Sequence, residues 1–371
     1  QTSCNLGPFA FYDIQFTNST PGATGNIYGN PVSMHDVSFS ANANINVAST
    51  FNDLTLGTSA VSYLNGTATI NGAFTCNGTC DNPASLTYGT VNKANGTVNI
   101  NYVRLQNVTA TGGAIFNANN VTDFGNNNGW NINLPVSKNL YWIGNGGNWT
   151  DPNHWASTSG GTAIGCIPSP YDNVFFDAGS FTSGGQTITI DQIAYCKSMS
   201  WTGVSNTPTL AGGYELDVYG SFTLSANMNL TLNGSLYFKS SATGNTITTA
   251  GKTIISQVFF NGPGGAWTMQ DAFNATNSYL YLNNGSLNTN GQTVKAYIFQ
   301  STGSGIRSLN LGASVIEIGC SNCASSYYGY GCDLTGSNIT INAGTSVLRF
   351  TGLQTSCNLG PFAFYDIQFT N

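Results

Sequence analysis

Tyr12-Asp13-Ile14-Gln15-Phe16 is echoed by His35-Asp36-Val37-Ser38-Phe39 and by Asn52-Asp53-Leu54-Thr55-Leu56. Each segment places apolar side chains two apart, the period of a strand with one face turned inward. Segments that share this pattern and lie about one coil apart read as successive rungs of a solenoid. The same alternation marks Val98-Asn99-Ile100-Asn101-Tyr102-Val103, Thr187-Ile188-Thr189-Ile190 and Tyr279-Leu280-Tyr281-Leu282, whereas no helical periodicity is visible. Gly-[Gln/Lys]-Thr-[Ile/Val] recurs at Gly185, Gly251 and Gly291, steps of 66 and 40 residues. Those steps approach multiples of a coil of ~20–22 residues. Asn-Gly-Ser-Leu likewise occurs at Asn233 and Asn284, and Asn-Gly pairs are expected to turn corners, because Asn and Gly tolerate positive φ. The expectation is an all-β chain, a parallel β-solenoid (β-helix) repeat unit, with a chain of β-sandwiches as the alternative.

A second repetition is exact. Residues 1–18, QTSCNLGPFAFYDIQFTN, return letter for letter as residues 354–371, an offset of 353 residues. Identity of this length and mixed composition implies one period of a tandem array plus a short overlap into the next copy. With rungs ~4.8 Å apart and ~22 residues each, a period holds roughly sixteen rungs and advances about 75 Å if all of them stack.

Charged residues make up 6% of the 371 residues, against a usual ~25%, while Gly numbers 45 and Asn, Ser and Thr abound. Hydrophobic residues at 40% are enough to fill a core, so disorder is not expected. A net charge of −6, nine dispersed Lys and Arg and a pI near 4.6 leave no basic stripe for nucleic acid. No apolar run approaches the ~20 residues that span a bilayer. No signal peptide or initiator Met opens the sequence, which reads as a mature or excised segment whose anchor lies elsewhere. The nine cysteines become eight per period, since Cys357 is Cys4 one period on: Cys4, Cys76, Cys80, Cys166, Cys196, Cys320, Cys323 and Cys332. An even, dispersed set in a chain with two His points to disulfides in an oxidising, extracellular compartment rather than to a zinc site. Cys76 and Cys80 are close enough to close a small loop.

The pattern breaks at Gly129-Trp130-Asn131-Ile132-Asn133-Leu134-Pro135-Val136-Ser137-Lys138-Asn139-Leu140-Tyr141-Trp142. This places the unit boundary at 135–139, with 1–134 the C-terminal part of one repeat and 140–371 the N-terminal part of the next. Beyond it stands Tyr141-Trp142-Ile143-Gly144-Asn145-Gly146-Gly147-Asn148-Trp149-Thr150-Asp151-Pro152-Asn153-His154-Trp155. It is followed by Cys166-Ile167-Pro168-Ser169-Pro170-Tyr171-Asp172-Asn173-Val174-Phe175-Phe176-Asp177 and by Tyr195-Cys196-Lys197-Ser198-Met199-Ser200-Trp201. In this order the three pieces resemble repeat segments of giant secreted, adhesin-like surface proteins of Bacteroidota, exported by the type IX pathway and including gliding-motility adhesins. Gly125-Asn126-Asn127-Asn128-Gly129-Trp130 resembles the element that often closes such units. The resemblance covers 141–201 well and 125–130 loosely. It implies extracellular display and adhesion or filament formation, with neighbouring copies as partners and no reaction. It also implies a Cys166–Cys196 bridge between adjacent rungs, which leaves Cys320, Cys323, Cys332 and Cys357 for two more.

Two readings of Trp142, Trp149 and Trp155 stand side by side: a platform on which sugar rings stack, or an aromatic cap over the open end of a solenoid. His154 beside Asp151, and near Asp172 and Asp177, suggests a metal or general-base site. A chain with His35 as its other histidine favours a structural role. Asp172 and Asp177 carry the oxygen ligands Ca²⁺ takes, but turn capping is the role expected of them first, and no other cofactor is implied. The acids and the arginines Arg104, Arg307 and Arg349 read as thinly scattered, unlike the clustered charges of polysaccharide-cleaving solenoids. A non-catalytic structural repeat is therefore expected first, a glycan-binding module second and an enzyme third. Sequons such as those at Asn18, Asn65, Asn107, Asn148 and Asn274 are about as frequent as chance gives in so Asn-rich a chain.

Overall fold

A computed structural model describes residues 2–6, 11–20, 22–30, 32–319, 331–351 and 357–370. It is a parallel β-solenoid of about 16 turns, about half strand, with no α-helix among the described residues. The chain divides into two compact units, Gln1–Val136 and Ser137–Asn371, and the division falls inside the 135–139 stretch.

In the first unit the three echoing segments lie directly above one another. Asp13 pairs with Asp36 and Asp36 with Asp53; Ile14, Val37 and Leu54 form the next column, Gln15, Ser38 and Thr55 the one after, and Phe16 pairs with Phe39. The resemblance in sequence is thus a column of equivalent sites, with Val37, Phe39, Leu54 and Leu56 buried. One sheet runs through Thr2–Leu6, Thr24–Gly29, Asn42–Ile45, Val61–Leu64, Ala84–Thr87, Val103–Gln106 and Thr122–Asp123. A second runs through Phe11–Phe16, Val32–Phe39, Ser49–Thr55, Thr67–Ile70, Thr90–Asn92 and Thr109–Thr111. Later coils gain a third face from Thr97–Asn101, Ile115–Asn119 and Asn131–Asn133. Every pairing in these sheets is parallel, which excludes the sandwich alternative, since sandwich strands pair antiparallel.

The second unit continues the same principle in a 19-stranded and a 4-stranded sheet. Among the described residues its antiparallel pairing is confined to the beginning of the unit, where Asn139–Trp142 pairs with Trp155–Ala156 and Ala156 bridges Ala163. Asp217, Tyr237, Phe259 and Tyr281 stack in one column at steps of 20, 22 and 22 residues, the expected coil length. Inside, Phe238 lies 4.9 Å from Phe260, and outside, Tyr237–Phe259–Tyr281 stack at 4.4 and 4.7 Å. The rung spacing sets these distances, which suit offset stacking of rings.

Asparagine columns explain the composition. Asn117 donates to Asn99 at 2.9 Å and Asn131 to Asn117 at 3.0 Å, while Asn133 donates to Asn119 and Asn126 to Asn107, both at 3.0 Å. An amide carries both donor and acceptor, so identical residues in register satisfy one another at the rung spacing, where identical charges would repel. At buried corners serine does the same work against the backbone: Ser256 donates to the Leu232 carbonyl at 2.7 Å, and Ser301 to that of Leu282 at 2.7 Å. Arg307, buried and without an acid partner among the described residues, donates from Nε to the Gly305 carbonyl at 2.9 Å and from Nη1 to Ser301 Oγ at 3.0 Å. Through Nη2 it also reaches the carbonyls of Gly303 and Ser337, so it ties one corner to the next coil.

Two sequence expectations change. Gly185, Gly251 and Gly291 do turn corners, with φ of 71, 75 and 73°, but Asn261 and Asn284 lie inside the strands Val258–Met269 and Phe273–Asn288. There they hydrogen-bond to each other at 2.7 Å beside a register shift, where a bulge bends a long strand. The Asn-Gly-Ser-Leu echo is not a stacking repeat either: Leu236 pairs with Val258 and Leu287 with Trp267, on different faces.

The fold predicts that truncating a fully buried rung residue leaves a void neighbouring coils cannot fill. Phe51→Ala, at a site with 0% exposure, is expected to cost about 3–5 kcal/mol in equilibrium chemical denaturation; a loss under 1 kcal/mol would contradict its assigned place.

Candidate functional site

The residues singled out in the sequence converge at the start of the second unit. Trp142, Trp149 and Trp155 have relative exposures of 0, 1 and 0%. Trp155 meets Trp142 and Trp149 edge-on with ring centres 5.1 and 4.8 Å apart. Phe176 packs on all three at 6.0–6.3 Å and stacks on Trp201 at 3.9 Å. The indole N–H groups are used internally, Trp142 donating to the Asn145 carbonyl at 2.5 Å and Trp155 to that of Trp149 at 2.9 Å. No indole face is open to a sugar, which corrects the platform reading: the rings fill the first coil of the unit. The first unit ends comparably, with Trp130 buried edge-on against Phe116 at 5.3 Å.

His154 belongs to the same packing. Its ring lies parallel to Trp142 at 4.5 Å, and its Nδ1 is 2.6 Å from the Ile143 carbonyl. A Cβ on Gly147 would fall 2.1 Å from His154 Nε2, so the glycine in Gly146-Gly147 is required by this close approach. Asp151 caps the short 3₁₀ turn Pro152–His154. The Asn153 backbone N–H at 2.9 Å holds its carboxyl below the usual range, against a smaller opposing effect of burial. Asp172 accepts from the Lys138 and Ser169 N–H groups at 2.8 and 2.9 Å and from Ser169 Oγ at 2.6 Å. Asp177 accepts from the Gly179 N–H at 2.9 Å and from Ser159 Oγ at 3.0 Å. Both act as turn caps, and neither joins His154 in a ligand set. Among the described residues the one trio able to converge on a metal is Asp13, His35 and Asp36, on an exposed face.

The cysteines correct the pairing expectations. Cys80 and Cys166 are disulfide-bonded, whereas Cys76, Cys196, Cys332 and Cys357 are free thiols. Neither Cys76–Cys80 nor Cys166–Cys196 forms, because one member of each pair is buried in the core and the other is not. Cys76 and Cys196 point into the core, Cys196 in register with buried Val218, while Cys80 and Cys166 sit in partly exposed loops. Cys332 and Cys357 pair in register on neighbouring rungs. Cys320, Cys323 and the side chain of Cys4 lie outside the described residues.

Charges that looked scattered are gathered by the coil. Lys239 Nζ lies 2.7 Å from Asp217 and 2.9 Å from Glu215, and 4.5 Å above the Tyr237 ring. Glu317 meets Lys295 at 2.7 Å and Arg349 at 3.0 Å. The signal was present as spacing: 217 to 239 and 295 to 317 are both 22 residues, one coil. Burial, reinforced by Glu215, pushes the Asp217 carboxyl up to about 8, with Lys239 opposing. With 1% exposure, Asp217 is closed to a polymeric substrate. In the outer aromatic column Phe259 stacks between Tyr237 and Tyr281. Comparison with family models, curated proteins and solved structures finds no match to this chain.

Two predictions follow from these placements. A carboxyl raised by folding binds a proton that the unfolded chain releases near its ordinary value of 3.8. Its stabilising contribution is therefore complete below about pH 4 and lost as pH rises through about 8. The stability difference between wild type and Asp217→Asn should fall across that window in parallel denaturation curves; a flat difference would refute the assignment. Burial pushes the Cys76 thiol up to about 12 and raises Cys196 and Cys332 as well. Maleimide treatment of native protein, read by peptide mass spectrometry, should leave these three unlabelled until denaturant is added, and native labelling would contradict their burial.

Proposed function

We propose that this chain is a non-catalytic structural repeat of an extracellular filament or giant surface adhesin, whose copies join end to end by stacking β-strands. The observation that carries the reading is the duplicated 18-residue segment, which takes part in rungs at both of its positions: Phe11–Phe16 stacks on Val32–Phe39, and Asp366–Thr370 on Val347–Thr351. Uncharged amide ladders, and the backbone groups of a strand with one neighbour, suit hydrogen bonding from one coil to the next. Disulfide-bonded Cys80 and Cys166 are in keeping with an oxidising, extracellular setting.

Burial of Trp142, Trp149 and Trp155 favours this reading over glycan binding, because the rings named for that role are spent on packing, and the acid raised by burial, Asp217, is closed to a polysaccharide. The partners are further copies of the same sequence. Stability along the array comes from apolar rung-on-rung burial, at about 25 cal/mol per Å².

Native material analysed by intact mass under reducing, denaturing conditions tests the reading. A giant species, or a ladder at multiples of one period, is expected. A single species near 38.9 kDa that electron microscopy shows as compact monomers would defeat it.

A further inference from the structure

The two copies of the 18-residue segment are each covered on one side, and on opposite sides. At 11–16 the strand has a neighbour after it: Ile14 pairs with Val37, Gln15 with Ser38, and Phe16 stacks on Phe39 at 4.5 Å. At 366–370 the same residues have a neighbour before them. Ile367 pairs with Leu348, Phe369 stacks on Phe350 at 5.1 Å, and Gln368 pairs with Arg349, whose Nε donates to its Oε1 at 3.1 Å. The preceding strand segments agree: Cys357 pairs with Cys332 before it, and Cys4, the same site, pairs with Ile27 after it.

Both half-environments call for one side-chain orientation. Leu348 and Phe350 on one side, and Val37 and Phe39 on the other, are all buried, so Ile and Phe of the segment belong to the interior in each setting. Yet Phe369 is 66% and Ile367 41% exposed. A strand with one neighbour leaves alternate backbone groups and its large apolar side chains open. The ends of the units at 130–142 are different: there Trp130 and the Trp142–Trp149–Trp155 cluster are buried. Toward the 135–139 stretch the large aromatic residues are buried, whereas among the described residues each copy of the 18-residue segment has a strand neighbour on one side. Terminal coils of solenoids need such seals, and internal ones do not.

We propose that the 18-residue segment is one shared rung, laid on the coil that ends at Thr351 and covered by residues 24–39 of the succeeding period. Ser137 to residue 353 of one period and residues 1–136 of the next then form a single uninterrupted solenoid, with continuous interior columns Leu348–Ile–Val37 and Phe350–Phe–Phe39. The sealed junction at 135–139 is the point where one solenoid ends and the next begins. This rests on the filament reading and specifies its joint.

The test compares this chain with one carrying a further period of 353 residues, the segment at the joint being marked by Thr370→Ser so that its peptides differ in mass. The same mark in the single-period chain supplies the reference. Hydrogen exchange of the marked 364–370 amides should be at least about tenfold slower at the joint than in the single-period chain. Equal rates would overturn the shared rung. Phe369→Asp at the joint should restore the single-period rate while leaving peptides from 258–269 unchanged; protection that survives this substitution would also overturn it. If the joint is unprotected but native material still forms long chains, the filament reading stands with another joint. A protected joint with no higher assembly supports the shared rung and removes the filament.

Discussion

The structure depends on parallel strands stacked in register, because this one arrangement brings each residue against its counterpart a coil away. Backbone groups are satisfied between coils. Side chains then form columns, and a column is stable only if its members tolerate like neighbours at ~4.8 Å. Leucine, valine and phenylalanine do so inside, and asparagine does so outside by donating to its own kind, as at Asn99, Asn117 and Asn131. Charges do so where signs alternate along the column, as at Lys295, Glu317 and Arg349, and Lys239 offsets Glu215 and Asp217 from a neighbouring rung; Asp13, Asp36 and Asp53 stack like on like at the surface, with His35 beside the first two. The low charge of the chain is a consequence of the stacking rather than a separate property.

The same constraint governs the ends. Rung-on-rung burial is lost where a column stops, so the last ring or aliphatic group must be covered or left open to another coil. Tryptophan covers the columns at 130 and at 142–155, and residues that looked suited to sugars are consumed by this task. Phe369 and Ile367 are left open, and their identical counterparts Phe16 and Ile14 have their neighbours on the other side.

Much of this was legible in the sequence where equivalent sites recur. The segments at Tyr12, His35 and Asn52 share columns, and their likeness reads directly as stacking. Likeness failed where it arose from local backbone need: the Gly185, Gly251 and Gly291 motif marks left-handed corners, and the two Asn-Gly-Ser-Leu runs lie on different faces. Proximity along the chain misled for the cysteines, since Cys76 and Cys80 straddle the turn from core to surface. The charge clusters were hidden for the converse reason, as partners one coil apart are 22 residues distant in sequence. The tryptophan cluster was visible as a motif, but that its rings pack on one another and on Phe176 depends on contacts between separate segments of the coil, which pattern alone does not reveal.

Fibre diffraction from oriented native material tests the central claim most directly, since strands stacked across the axis of an array must repeat along it. The account predicts a meridional reflection at about 4.8 Å together with a long axial spacing of several nanometres set by the 353-residue period. A pattern without the meridional reflection, or with no long axial spacing, would contradict it.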